Sequence, residues 1–579
     1  MLIRPARKAE WPEIARVFIA ARAGMTYLPK PHSDEETRAF IGSVVGRENV
    51  WVAEGGGCIR GFAAMSGPSK EAWLDHLYVH PREHDAGAGT LLLARVKREC
   101  PEGFSLWTFQ ANLGARRFYE RHGLNEARRT DGAENEEKLP DILYEWRERR
   151  REIDLTDNAK KPAKDLETEN KGALKGVRIV DLTAVVFGAY ATQILGDMGA
   201  DVIKIEAPSP TGGGGAGGDI MRWPGHPPEG ASAGLGPIFM TINRNKRSVV
   251  LDLGSKQGRD ALLKVIATAD VLTSNIRYAA MTKLGLSYED VKAVKPDIIF
   301  VHAAGYGSDG PYAGLPAYDD LIQAGSGAAD LLGRMDGDPK PRYIPTIMAD
   351  KASGLFMVSA VTAALFHRAR SGEGQFVEVP MLEAVTSFIL AEHFYDHVYD
   401  PPTGQWSYSR ITNPDRRPYK TKDGHIGLLP YSDKQWEAFF KLAGRLDDYK
   451  NDPRFNTYKA RTVHIRDLYA MIEETTQTKT TAEWLALLQP LSIPAVKMNR
   501  LDDLQDDPHL KAVDFFARYD HPDAGPYFAL KPPVRFGASP SSIRRHPPRL
   551  GQQTAEVLRE AGMSETEIEA LTGGEAVKA

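Results

Sequence analysis

From Arg150 to Gly172 the chain is almost entirely charged or polar. A stretch with so little apolar surface cannot bury a face against a core, so it reads as a charged linker. It separates a segment of about 150 residues from one of about 400, and each is long enough for its own hydrophobic core. The chain therefore has to fold at least twice. The expected boundaries are 1–149 for the first domain, 150–172 for the linker and 173 onward for the rest.

Composition narrows the class. Hydrophobic residues make up 42% and charged residues 26% of 579 residues, ordinary for a soluble globular protein. A net charge of −4 gives no general affinity for polyanions, so no nucleic-acid partner is expected. The two cysteines, Cys58 and Cys100, are too few for a disulfide framework and read as small buried hydrophobes in a reducing compartment. No apolar stretch approaches a membrane span, and Met1–Pro5 leads directly into charged residues without a signal-peptide core. A cytoplasmic protein with no membrane partner is the expectation.

The first segment alternates helix and strand patterns. Trp11 to Ala23 has helical spacing, with Gly24 as its stop. Val50–Glu54, Ile59–Met65 and Ala72–Val79 read as strands, and Thr90–Lys97 as a helix. Where the third strand gives way to that helix stand Gly87 and Gly89. Glycines at such a turn let backbone N–H groups approach an anion at a helix N-terminus, and a pyrophosphate is the natural ligand. About twenty residues on comes Asn112-Leu113-Gly114-Ala115-Arg116-Arg117-Phe118-Tyr119. Together the two elements resemble motifs A and B of the GNAT family of N-acetyltransferases, over roughly residues 1–148. The resemblance implies that acetyl-CoA lies with its pantetheine along Leu77 to Val79 and its pyrophosphate at Gly87 and Gly89. It also implies that Asn112 orients the cofactor or intermediate and that Tyr119 protonates the departing thiolate, with an amine as acceptor. His84 stands where that family usually has Arg or Gln. That departure leaves open a non-catalytic, CoA-binding regulatory module; an interaction domain decorating a dimer is a separate alternative.

The second segment opens with a strand at Val177–Leu182, a helix through Ala191–Leu195 and a strand at Asp201–Glu206. Further strands at Val271–Thr273 and Ile298–His302 continue the alternation, which predicts a parallel, Rossmann-like α/β sheet. From about 401 to 534 the pattern changes to short strands and amphipathic helices, including Lys434–Leu442 and Arg466–Thr476, and reads as a smaller α+β subdomain. Residues 173–400, completed by 535–579, form the large domain. One carboxylate stands out. Asp350 ends the apolar run Ile344–Ala349 and precedes a helix-like run from Leu355 to Phe366. It is expected at a strand or loop end beside a helix N-terminus, where a carboxylate can serve as a nucleophile toward a thioester carbonyl.

Residues 175–209, Asn243–Leu253, Ser274–Ile276 with Lys283–Gly285, Gly305–Gly307, Tyr318–Gly327 and the Asp350 run resemble, in order, the class III (family III) CoA-transferases. That group includes formyl-CoA:oxalate and carnitine CoA-transferases and the related α-methylacyl-CoA racemases. The resemblance implies an acyl-CoA donor, a carboxylic acid acceptor, no metal, and an aspartyl-CoA thioester at Asp350. An ordinary carboxylate pKa near 4 would keep Asp350 ionised at neutral pH. Backbone N–H groups around Gly188 and Ala352–Gly354 are candidates to steady developing negative charge. For coenzyme A the matching positions are Val185 and Val186 at the pantetheine, Lys246 at the adenine side, Asn275 and Lys283 at the ribose and phosphates, and Tyr306 in the glycine–tyrosine motif. Gly212–Gly218 lacks the Lys-Ser/Thr of a P-loop and reads as a loop. Racemases carry His-Asp where this chain has Tyr318-Asp319. A phenol with a pKa near 10 is a poor base for an α-carbon, so transferase is the expected branch and racemase the alternative. The resemblance also implies an intertwined homodimer.

Overall fold

The structure is a computed structural model that describes residues 1–25, 27–29, 32–67, 72–83, 87–100, 102–147, 163–208 and 217–573. The chain divides into two units, Met1–Lys161 and Pro162–Ala579. Residues 150–162 of the expected linker, His84 and residues 212–216 of the glycine-rich loop lie outside the described residues. Residues 163–172 belong to the second unit rather than to a free connection. Lys164 N–H donates to the Arg518 carbonyl at 2.8 Å and Glu167 N–H to the Ile543 carbonyl at 3.0 Å, while Leu166 packs against Ala517 and Ile543.

The first unit is built on a seven-stranded sheet: β1 (Leu2–Pro5), β2 (Asn49–Gly55), β3 (Cys58–Ser66), β4 (Ala72–Val79), β5 (Phe104–Phe109), β6 (Asn125–Arg129) and β7 (Asp141–Trp146). The spatial order is β1-β2-β3-β4-β5-β7-β6. Strand alternation sends neighbouring side chains to opposite faces. Val50 and Val52 meet Ile14, Phe18 and Ile41 of helices Trp11–Ala23 and Asp34–Arg47 on one face. Trp51 and Ala53 meet Leu92 and Val96 of helix Ala88–Glu99 on the other. The parallel pair β4–β5 is joined only at Ala72–Phe104 and Trp73–Ser105. Beyond that point the two strands part, while β4 stays paired with β3 as far as Val79. Cys58 on β3 is exposed and Cys100 buried, so only the second fits the expectation of a small buried hydrophobe.

The second unit has a six-stranded parallel sheet of β8 (Arg178–Leu182), β9 (Asp201–Glu206), β10 (Lys246–Val250), β11 (Val271–Ser274), β12 (Ile299–Ala304) and β13 (Phe376–Pro380). Its order, β10-β9-β8-β11-β12-β13, is the doubly wound 3-2-1-4-5-6 arrangement. Both faces are covered, which explains the near-continuous apolar strands. Ile179, Val202, Val271 and Ile299 pack under helix Met348–Ser371. Their neighbours Val180, Ile203, Leu272 and Phe300 pack against helix Lys256–Ile266 and the C-terminal helix Thr554–Glu560.

A separate cluster of Trp436, Phe439, Phe440, Leu468, Ile472 and Trp484 forms the core of a smaller module. Its three-stranded sheet joins β14 (Tyr419–Lys420), β15 (His425–Leu428) and β16 (Ala495–Lys497). The hairpin β17–β18 (Phe516–His521, Gly525–Leu530) packs with Leu166 and Ile543 instead.

Helix Met348–Ser371 is the longest described element. It is 24 residues long and holds an 18-residue window of mean hydropathy 1.2, long and apolar enough by length and composition to cross a membrane. Ala349, Ser353, Met357, Val361 and Ala364 form a buried stripe at helical spacing. Leu355, Phe356 and Phe366 on the same helix are exposed.

Candidate active site

In a doubly wound sheet ligands bind beyond the carboxyl ends of the strands, where the strand order reverses. Here that point lies between β8 and β11, and a cavity of about 820 Å³ opens there. Val185 from the loop after β8, Asn275 after β11, Tyr306 after β12 and Asp350 all line it. Four residues far apart in sequence thus share one space.

Asp350 does not end a strand. It is the third residue of helix Met348–Ser371, inside the first turn. That helix crosses close to helix Phe187–Asp197, which follows Val185. A methyl group at Gly354 would come within 3.0 Å of the Phe187 carbonyl oxygen, and one at Gly188 within 2.3 Å of Thr183 Cγ2. Glycine at 354 lets helix Met348–Ser371 approach the start of helix Phe187–Asp197, and glycine at 188 lets the turn that carries Val185 close against Thr183. Ala352–Gly354 lie past the first turn, where backbone N–H groups are spent within the helix, so they do not serve as anion donors.

The helix N-terminus is capped from outside. Asp319 Oδ1 accepts from Ala349 N–H at 2.6 Å and from Asp350 N–H at 3.2 Å. Gln323 Nε2 donates to Asp319 Oδ2 at 2.6 Å, and Gln323 Oε1 accepts from Ile344 N–H at 2.9 Å. Burial, and then the neighbouring Asp319 carboxylate, push the Asp350 carboxyl up to about 7. The expectation of an ordinary carboxylate near 4 is therefore corrected. From the sequence, Asp319, next to Tyr318, is expected at most to orient a loop, with no catalytic role.

Val185 has φ of +68°, a left-handed conformation that a β-branched residue rarely adopts. What holds it is a buried network that sequence reasoning missed. Val185 N–H donates to Asp219 Oδ1 at 3.1 Å, and Lys204 Nζ pairs with Asp219 Oδ2 at 2.9 Å, both side chains 1% exposed. Lys204 Nζ also donates to the Thr183 carbonyl at 2.7 Å. Asp181 accepts from Thr183 Oγ1 at 2.5 Å and Thr192 Oγ1 at 2.7 Å. Burial alone would raise the Asp181 pKa, but the Lys246 and Lys204 ammonium groups outweigh it and hold it below the usual range. Charged residues inside otherwise apolar parallel strands (Asp181, Lys204 and Glu206) were the available signal.

The remaining expected coenzyme contacts divide. Lys246 is fully buried, with Nζ donating to Asp181 at 3.2 Å, the Ala189 carbonyl at 2.9 Å and Asn243 Oδ1 at 2.9 Å. All three ammonium protons are engaged, so the adenine-side reading is replaced by a structural one. Val186 is packed with Ala189 and Ile242 and is absent from the cavity wall. Lys283 is exposed at the end of the short helix Tyr278–Lys283, away from the wall that Tyr278 helps to form. Asn275 lines the cavity, but its side chain exchanges two hydrogen bonds with the Ala184 backbone, at 2.9 and 3.0 Å. It tethers the loop on which Val185 sits. Arg277 and His302, which were not singled out, line the cavity. His302 Nδ1 is buried without a partner.

In the first unit, Leu77 and Val79 lie on the part of β4 that has left β5. Gly87 caps helix Ala88–Glu99 with φ of +81°, and Gly89 stands in the first turn of that helix. Asn112 Oδ1 accepts from Ala115 N–H at 3.1 Å, so that oxygen caps helix Leu113–Arg121. Tyr119 is 8% exposed, and burial pushes its phenol pKa up.

Residues 174–554 match the family described as CoA-transferase family III. The chain belongs to that family. Residues 18–124 match the acetyltransferase (GNAT) family, so a family III CoA-transferase here carries an N-terminal GNAT domain. An acyl-CoA transferase of Fusarium pseudograminearum is 32% identical over 412 residues, 70% of this chain and 88% of that protein. The succinate–glutarate CoA-transferase of Agrobacterium fabrum is 31% identical over 400 residues, 67% of this chain and 96% of that one. Among solved structures, a CAIB/BAIF family protein from Brucella suis is similar at a TM-score of 0.57 and 29% identity, covering 68% of this chain and all of the other.

Proposed function

We propose that the second unit moves coenzyme A from an acyl-CoA to a carboxylic acid through covalent intermediates on Asp350. The observation that carries this reading is a half-buried carboxylate, raised to about 7, in the cavity at the switch point. Asp350 attacks the thioester carbonyl and the C–S bond breaks, giving a mixed anhydride and CoA thiolate. The thiolate attacks the Asp350 carbonyl of the anhydride, freeing the donor acid and leaving an aspartyl-CoA thioester. The acceptor carboxylate repeats the sequence in reverse and regenerates Asp350. The relative acting on succinate and glutarate makes succinyl-CoA the first donor to try. Tyr318 supports transferase over racemase, since a phenol is a poor base for an α-carbon.

The nucleophile must be ionised. Its rate of CoA-adduct formation is therefore expected to climb as pH passes through about 7 and to level off above it. A single-turnover series from pH 5 to 9 (an interval of about two units either side) reads this. A rate already flat at pH 5 would contradict it.

We also propose that the GNAT domain binds acetyl-CoA and acetylates an amine. The open edge of β4 at Leu77–Val79 supports a pantetheine arm there, and the raised Tyr119 phenol keeps a proton to give. In the full chain, Tyr119→Phe is expected to bind acetyl-CoA as before and to lose about 10²-fold in acetyl transfer. Calorimetry beside an amine panel separates the cases. Binding by the wild type without turnover would make the domain a regulatory module.

A homodimer is proposed as well. The exposed Leu355, Phe356 and Phe366 on the longest helix, with Phe388 on helix Met381–His393, form apolar surface that a second copy would cover. Sedimentation equilibrium showing a stable monomer at micromolar concentration would refute it.

A further inference from the structure

We propose that Asp319, clamped by Gln323, is a positioning residue that fixes the Asp350 backbone and takes up the charge of the helix N-terminus. The inference rests on the reading of Asp350 as nucleophile. A carboxylate in the first turn of a helix is ordinarily stabilised by the free N–H groups there, which makes it a weaker base and nucleophile. Here Ala349 N–H and Asp350 N–H point at Asp319 Oδ1 instead, at 2.6 and 3.2 Å. The second oxygen of Asp319 is held at 2.6 Å by Gln323 Nε2, and the same amide reaches the Ile344 and Thr346 carbonyls at 3.3 Å. One side chain thus ties the segment entering the nucleophile helix to the helix Asp319–Gly325.

Other charged groups near this helix are otherwise engaged or contribute little. Asp197 on helix Phe187–Asp197 is bonded to Arg244 and Asn245, Glu378 on β13 to Ser308, and Glu383 on helix Met381–His393 to Gly307 N–H. Lys351, next to Asp350, donates to Thr346 Oγ1 at 2.7 Å. His302 on β12 is driven toward the neutral form by burial. Asp320 is exposed, and Tyr190 on helix Phe187–Asp197 is a phenol. Arg277 lines the same cavity from the loop after β11. Among the described residues, Asp319 is the charged neighbour that, beside burial, raises the Asp350 pKa.

The test follows CoA-adduct formation against pH in the full chain, with succinyl-CoA, acetyl-CoA and formyl-CoA as probes. Asp319→Asn keeps an acceptor oxygen and removes the charge. It is expected to lower the pH midpoint by about one unit and to leave the fold intact. Asp319→Ala removes the cap as well and is expected to slow the plateau rate by about tenfold. An unchanged midpoint in Asp319→Asn with an unchanged rate in Asp319→Ala overturns the positioning role, and the reading of Asp350 then survives if Asp350→Ala forms no adduct. Adduct on Asp350→Ala, or none on the wild type, overturns the reading of Asp350 itself. A donor-free measurement separates the two. The gain in melting temperature from Asp350→Asn should saturate about one pH unit lower, and be smaller, in the Asp319→Asn background. Identical gains in both backgrounds overturn the coupling.

Discussion

Replacing Asp350 with asparagine is expected to abolish CoA transfer and yet raise the melting temperature. The side chain keeps its volume and loses its nucleophilic oxygen anion, so turnover should fall by about 10³-fold or more. The stability change has a definite sign. Burial and the Asp319 carboxylate raise the folded-state pKa of Asp350 to about 7, above its ordinary 3.8. In the unfolded chain the group ionises first, so ionisation opposes folding as pH rises from the unfolded value to the folded one. The cost is absent below about pH 4 and complete above about pH 7, where it amounts to about 4 kcal/mol. Asparagine removes it. Calorimetric unfolding at pH 4 and pH 8 checks this: the variant should match the wild type at the lower pH and exceed it at the higher. A variant less stable than the wild type at pH 8 would mean that the site stores no such strain.

Asp219→Ala should produce the largest loss of stability. The Lys204–Asp219 pair is 1% exposed on both sides, and removing one partner leaves a buried ammonium group bonded to the Thr183 carbonyl and near Asp181. Breaking a buried pair in this way costs about 3–5 kcal/mol. Asp219 also holds Val185 in its left-handed conformation through the 3.1 Å hydrogen bond to its N–H. Without it the loop should relax, and acyl-CoA affinity should fall by about tenfold or more at temperatures where the variant is still folded. Asp219→Asn, which can still accept from Val185, should retain more of the binding than alanine does. Chemical denaturation together with acyl-CoA titration of both variants measures the two effects. Wild-type stability in Asp219→Ala would show that the pair is not the loop's anchor.

Where periodicity and punctuation agree, the sequence was easy to read. Helix Trp11–Ala23 and strand Asp201–Glu206 have the bounds their patterns predict. The alternation after Val177 announces a parallel sheet because each strand is buried on both faces. The position of Asp350 was harder. The run Ile344–Ala349 is six apolar or small residues, and such a run fits a strand end as well as a helix start. Its partner Asp319 lies 31 residues away, and only the fold brings the two together. Lys246 shows the opposite failure. A lysine in a matching motif suggests a ligand contact, whereas burial between Asp181, Ala189 and Asn243 gives it an internal task. The left-handed Val185 carries no local signal, since valine is among the least expected residues at positive φ. Its conformation is imposed by Asp219, 34 positions later.

The central claim is a covalent CoA thioester on Asp350, and intact-mass measurement after incubation with succinyl-CoA tests it most directly. The wild type should gain a CoA-sized mass that maps by peptide sequencing to Asp350 and is lost on addition of a carboxylate acceptor, and Asp350→Ala should gain nothing. An adduct on the Asp350→Ala protein, or transfer activity in the wild type with no adduct at any time point, would contradict the account.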